Sequence, residues 1–209
     1  MLLDAQAQEV KLFCISHIRR QLSNYVDELD TSLWHKLTPE NQKYIKEFLF
    51  TCLTTETNTK NLSLLSDLIG EVGATIKTLK PEIKKQCSEE GQQWNDLMQN
   101  VWTLLNSGNA ALVQSGLQIM GILFANCQNE YALYKDELLP IFKQTLEHEN
   151  LKVRGTAIET LCAFLKGVDS KHCKPFADLL PIVFNNLVIF VEKDEDMVIW
   201  KIYKRETNL

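Results

Sequence analysis

The side chains with the strongest chemistry in this sequence are four histidines, His17, His35, His148 and His172, and six cysteines, Cys14, Cys52, Cys87, Cys127, Cys162 and Cys173. Imidazole and thiolate could together hold zinc or pair as base and nucleophile, but either chemistry needs convergent spacing. No histidine stands in an H-x-x-x-H or H-E-x-x-H pattern, and no two cysteines form C-x-x-C. His172 and Cys173 are adjacent, so a helix carrying both points them to different faces. The acid runs Glu89-Glu90 and Asp194-Glu195-Asp196 fall in expected turns, where solvation and helix capping account for them. No phosphate-binding glycine loop, dinucleotide fingerprint or nucleophile elbow is present. The sequence therefore predicts no enzyme, no resident metal and no cofactor.

What remains is a capacity to bind. The chain has 209 residues, 45% hydrophobic and 23% charged, enough for one domain or a short repeat array with a real core. Its net charge of −5 argues against direct nucleic-acid or anionic-membrane binding, because phosphate contacts need a basic surface. Basic partner proteins suit it better. Cysteines inside apolar helical runs, with no secretory leader before them, predict buried thiols in a reducing, cytosolic or nuclear compartment. In that compartment the glycosylation triplet Asn61-Leu62-Ser63 has no meaning. The most apolar run, Leu179 to Val191, is interrupted by Asn185 and Asn186, so no membrane span is expected.

The elements that must position any binding surface are helices, and their spacing repeats. An apolar stencil reads Val10/Ile15/Ile18/Leu22, Lys60/Leu65/Leu68/Val72, Leu112/Leu117/Met120/Phe124 and Val153/Ile158/Leu161/Leu165. Its steps are 50, 52 and 41 residues (15 to 65, 65 to 117, 117 to 158), the length of a helix pair. The predicted fold is all-α, a right-handed α-α superhelix of about four helix pairs plus an unpaired first helix. Such an array has no natural catalytic cleft and binds macromolecules along an extended surface.

The pieces are 1–26, the second helix of a truncated repeat, then repeats at 38–79, 94–126, 134–166 and 174–209, the last with a divergent end. Residues 27–37 and 84–93 read as connections. Thr38-Pro39-Glu40 is a strong helix start: a hydroxyl cap, proline at the first helical position, and an acid at the positive end of the dipole. Leu138-Leu139-Pro140 and Leu179-Leu180-Pro181 recur 41 apart (138 to 179), and each proline is expected to bend a first helix. The stencil residues, Leu68, Met120 and Leu161 among them, are expected in the core. After about Val191 the chain becomes rich in β-favouring residues and leaves the pattern.

Several of these stretches resemble the importin-β (karyopherin-β) family of nuclear transport receptors, closest to its importin-five branch. They are Glu9-Val10-Lys11 with His17-Ile18-Arg19-Arg20-Gln21-Leu22, then Leu37-Thr38-Pro39-Glu40-Asn41-Gln42, Asp67-Leu68-Ile69-Gly70-Glu71-Val72 and Phe176-Ala177-Asp178-Leu179-Leu180-Pro181. The resemblance covers about residues 8 to 190 and implies a HEAT-repeat solenoid that shuttles between cytoplasm and nucleus. It implies binding of protein cargo, of phenylalanine-glycine nucleoporins on outer helices, and of Ran GTPase in its GTP form. On the matched helices Arg19, Arg20, Lys60, Asp67, Glu71 and Arg154 are candidates for contacts to Ran or cargo, or alternatively braces between repeats. Phe142 and Phe184 are candidates for nucleoporin contact, or alternatively core. Family members are several times longer, so a fragment, a truncated product or an abridged gene model is expected, with exposed stacking surface and a tendency to self-associate. The alternative function is a structural HEAT-repeat scaffold that assembles a protein complex.

Overall fold

Three asparagines frame the fold. Asn58, Asn109 and Asn150 stand 51 and 41 residues apart (58 to 109, 109 to 150). The first N–H groups of a helix lack intrahelical acceptors, and a side-chain oxygen just before the helix supplies one. Asn58 Oδ1 accepts from the N–H of Lys60 at 2.9 Å and Asn61 at 3.3 Å. Asn109 Oδ1 accepts from Ala111 at 2.9 Å and Leu112 at 3.4 Å, and Asn150 Oδ1 from Lys152 at 2.9 Å. Two residues earlier a second side chain accepts the N–H of the asparagine itself: Glu56 at 3.0 Å, Ser107 at 3.3 Å, and His148 through Nδ1 at 2.9 Å. One turn is thus built three times, each time launching the second helix of a pair.

The computed structural model describes residues 2–23, 33–77, 94, 96–127, 131 and 134–192. They fall into two units, Met1–Cys127 and Gln128–Leu209. The first holds α1 (Leu2–Ser23), α2 (Leu33–Lys36), α3 (Pro39–Thr55), α4 (Thr59–Lys77), α5 (Leu97–Leu105) and α6 (Ala110–Asn126). The second holds α7 (Lys135–Leu146), α8 (Leu151–Gly167), α9 (Ser170–Cys173), a 3-10 helix (Lys174–Leu179) and α10 (Leu180–Glu192). Among the described residues every regular element is helical.

In the first unit α4 is central: α1, α3 and α6 all pack on it, and α5 packs on α6. Leu65, Leu68, Ile69, Val72 and Ile76 of α4 meet Leu117, Met120, Leu123 and Phe124 of α6 in a core from which water is excluded. Two glycines of α4 make room for side chains of α6 and α5. A Cβ on Gly70 would stand 2.9 Å from Ile122 Cβ, and one on Gly73 2.7 Å from Leu97 Cδ2. In the second unit α7 packs on α8, and α10 packs on both. Phe142, Phe164 and Phe176, from α7, α8 and the 3-10 helix, form its aromatic centre.

Thr38 caps α3 by accepting from the Asn41 N–H at 3.4 Å, with Pro39 in the first turn. Elsewhere the structure departs from the sequence reading. The connection 27–37 contains α2, anchored by buried Trp34: its carbonyl accepts from Gln42 Nε2 at 2.9 Å, and Lys46 Nζ lies 5.7 Å from its ring centroid. Pro140 does sit inside α7, but Pro181 is the second residue of α10, immediately after the 3-10 helix. The first turn of a helix tolerates a missing N–H, so there the chain changes helix type and starts anew. In the first stencil copy Val10 and Ile18 are exposed, since α1 turns Leu12, Ile15 and Arg19 toward α4. Of the five described cysteines only Cys127 is buried, and Cys14 is exposed. Ser170–Glu192 is long and apolar enough to cross a membrane by length and composition alone. Phe176, Leu179, Asn186 and Phe190 of that run are instead packed into the second unit. The loose connection at 84–93, the divergent segment after 192 and Cys87 lie outside the described residues.

The Glu56 turn yields a pH prediction. Burial alone would push the Glu56 carboxyl up, but the N–H groups of Asn58 and Thr57, the Asn61 amide and Lys11 outweigh it and hold the carboxyl below its ordinary range. A carboxylate lowered on folding stabilises the fold above its unfolded pKa, and that contribution disappears as pH falls through the folded value. Glu56→Gln, which keeps one acceptor oxygen and adds a misplaced donor, is expected to cost about 1–3 kcal/mol at pH 7. Urea unfolding at pH 7 and pH 3 checks this. The gap between wild type and variant should shrink at pH 3, and a constant gap would rule out the carboxylate as its source.

Candidate functional site

Second helices present the polar residues most able to meet a partner. Facing turns of α1, α4 and α6 in the first unit carry a connected row. Arg19 Nε lies 3.0 Å from both Glu71 carboxylate oxygens, Arg19 Nη2 also pairs with Glu71, and Nη1 donates to Asp67 Oδ2 at 3.1 Å. From α6, Gln118 Nε2 donates to Asp67 Oδ1 at 2.6 Å and to Ser63 Oγ at 3.0 Å. The Glu71 hydrogen bond, opposed by burial and helped by the Asp67 charge, holds the guanidinium even more firmly protonated than usual. Planar guanidinium suits this forked pairing, and the row ties α1, α4 and α6 together. Arg19, Asp67 and Glu71 keep roughly a third to a quarter of their side-chain surface exposed, so one edge of the row is open to solvent.

The other candidates are dispersed. Arg20 and Lys60 are exposed, and the Lys60 backbone belongs to the Asn58 cap. In the second unit Arg154 Nε donates to the His148 carbonyl, and its Nη1 donates to Asn186 Oδ1 at 3.2 Å. Asn186 Nδ2 in turn donates to the Leu146 carbonyl at 2.8 Å. Arg154 therefore braces α8 against α10 and the turn before it.

The two phenylalanine candidates separate. Phe142 is fully buried between Phe164 and Phe176, so it belongs to the core and offers no surface to a nucleoporin. Phe184 is 62% exposed, so the core alternative fails for it. Its neighbours on the same face, Leu180, Val188 and Val191, are exposed as well. Among the described residues no group of three or more histidine, cysteine or carboxylate side chains converges to hold a metal.

Sequence reasoning missed Gln118, Ser63, Asn186 and His148. Gln118 and Ser63 carry no local signal, since their partners lie 51 and 55 residues away. Asn186 did have one: an amide in a run otherwise apolar needs a buried partner.

Comparison with known proteins gives three results. The family model described as IPO5-like, TPR repeats, matches residues 81–204. Among solved structures, Kap121p matches with a TM-score of 0.59 and 19% identity over 92% of this chain and 18% of that one. Kap121p bound to RanGTP matches with a TM-score of 0.57 and 19% identity, over 90% of this chain and 17% of that one. Kap121p bound to Nup53p gives 0.57 and 18%, over 90% and 18%. No curated protein matches in sequence. The fold class is thus the all-α, HEAT-type superhelix of helix pairs, for which TPR repeats are another α-solenoid form. The chain spans under a fifth of the length of these structures.

Proposed function

We propose a function from one fact of kinship: the chain belongs to the IPO5-like, TPR-repeat family, within the importin-β karyopherins. It serves as part of a nuclear import receptor, moving between cytoplasm and nucleus and binding protein cargo, phenylalanine-glycine nucleoporins and Ran in its GTP form. It works by binding alone. The observation that carries this reading is the family match over residues 81–204. Kap121p structures with RanGTP and with Nup53p support the choice of partners.

The stretches 38–79, 94–126, 134–166 and 174–209 act as the repeats. On them exposed Arg20 and Lys60 and the open edge of the Arg19–Asp67–Glu71 row meet Ran or cargo, and the outer face around Phe184 meets nucleoporins. A net charge of −5 favours basic cargo. A structural scaffold is the second reading, and the same polar row favours it, because Arg19, Asp67 and Glu71 pair with one another.

Titration of the purified chain with Ran loaded with a non-hydrolysable GTP analogue, and in parallel with GDP, tests the proposal. Preferential binding of the GTP form, at least tenfold, is expected. Equal or absent binding, with helicity confirmed by circular dichroism, would overturn Ran-regulated transport for this chain and leave the scaffold.

A further inference from the structure

Between Glu9 and Arg20 helix α1 has two faces. Leu12, Ile15 and Arg19 turn toward α4, and the opposite side carries Val10, Phe13, Cys14, His17 and Ile18. These five fall at i, i+3, i+4, i+7 and i+8, the stripe that a helix buries when it packs on another helix. Here the stripe is open. Val10 is 61%, Phe13 72% and Ile18 37% exposed, and Cys14 and His17 are exposed with them. The Phe13 and His17 rings stack along it with centroids 6.1 Å apart. Contiguous apolar surface of this regularity on the solvent side of a helix marks an interface.

Charge selects the occupant. From 9 to 20 the exposed charged side chains are Glu9, Lys11 and Arg20, and Lys11 is paired with Glu56 at 3.5 Å. Glu9 and Arg20 are eleven residues apart (9 to 20), close to three turns of about 3.6 residues each. Both therefore stand on the Phe13 edge of the stripe, roughly 16 Å apart at a rise of about 1.5 Å per residue. An acid and a base at the two ends of one edge complement that same edge turned end for end. In a two-fold antiparallel crossing like edges face each other. With the axis near Cys14, Glu9 of each copy lies opposite Arg20 of the other, Val10 lies over Ile18, and the two Phe13 rings meet. A parallel pair would instead set like charges level with each other, and an anionic lipid surface would meet Glu9 on the same edge.

We propose that the outward stripe Val10/Phe13/Cys14/His17/Ile18 docks the same stripe of a second copy, antiparallel, with a Glu9–Arg20 pair closing each end. This gives the expected tendency to self-associate a definite face and does not depend on Ran binding. The dimer covers Arg20, which contact with Ran or cargo requires open, so the two states alternate. Five side chains per copy make a small contact, and a weak, reversible dimer is expected.

Sedimentation equilibrium of the full chain over a wide concentration range tests it, and wild type should pass from monomer to dimer. F13E sets like charges together near the axis and alters a side chain already in solvent, so helicity should persist by circular dichroism while association weakens at least tenfold. E9R and R20E should each weaken association severalfold. The double reversal E9R/R20E should recover it, and the two single variants mixed should form a mixed dimer. A short bismaleimide should join two copies through Cys14, and C14S should remove that cross-link while leaving the association. A chain that stays monomeric, a dimer unmoved by F13E, or a double reversal that recovers nothing would each overturn the proposal. A monomer that floats with phosphatidylserine vesicles and loses that property in F13E would overturn it in favour of a membrane surface.

Discussion

Replacing Phe164 with alanine is expected to cost the second unit about 3–5 kcal/mol, a large part of the stability of a small domain. Phe164 is 1% exposed, and its ring centroid lies 5.1 Å from Phe176 and 6.3 Å from Phe142. The third edge of the triangle, Phe142 to Phe176, is 6.1 Å and T-shaped. Removing the central ring deletes two aromatic pairs as well as apolar contact, and α7, α8 and the 3-10 helix cannot all close the gap together. Hydrogen exchange resolves the effect by unit. Protection should fall across residues 135–192 and persist across 59–77 and 110–126, the α4 and α6 core. Phe164→Leu, which keeps most of the volume, should cost clearly less. A loss below about 1 kcal/mol for the alanine variant would mean the triad is not the packing centre.

The same triad shows what the sequence could and could not disclose. Phe142 and Phe184 are alike in type and both lie on first helices, so periodicity alone left core and surface open for each. The register between the two Leu-Leu-Pro copies separates them: Phe142 aligns with Val183, and Phe184 with Lys143. Helix positions were legible because apolar spacing, the Thr38-Pro39 start and the polar turns agree with one another. The repeated asparagine caps, 51 and 41 residues apart, stand close to the stencil steps of 52 and 41, a regularity that the apolar spacing alone did not single out. The acceptor two residues earlier was not legible, because Glu56, Ser107 and His148 share geometry and no chemistry. Nor was the Arg19 row, in which residues 48 and 52 positions apart meet only after α1 and α4 have packed. Exposure along α1 failed for a related reason: an apolar pattern states which residues could be buried, and packing decides which are.

Asn186→Leu, an exchange of similar volume, is expected to destabilise the second unit by about 2–4 kcal/mol, although it makes an apolar helix more apolar. Asn186 is 1% exposed and uses both ends of its amide, donating to the Leu146 carbonyl at 2.8 Å and accepting from Arg154 at 3.2 Å. Leucine would leave that carbonyl and one arm of a guanidinium facing hydrocarbon, and an unmet buried polar group costs more than a met one contributes. Asn186→Asp should fall between, since a carboxylate can still accept from Arg154 but presents an oxygen to the Leu146 carbonyl. Asn185, next in sequence and exposed, supplies the control: Asn185→Leu should change stability by no more than about 0.5 kcal/mol. Urea unfolding of the three variants decides the matter, and equal effects at 185 and 186 would remove the buried amide from the account.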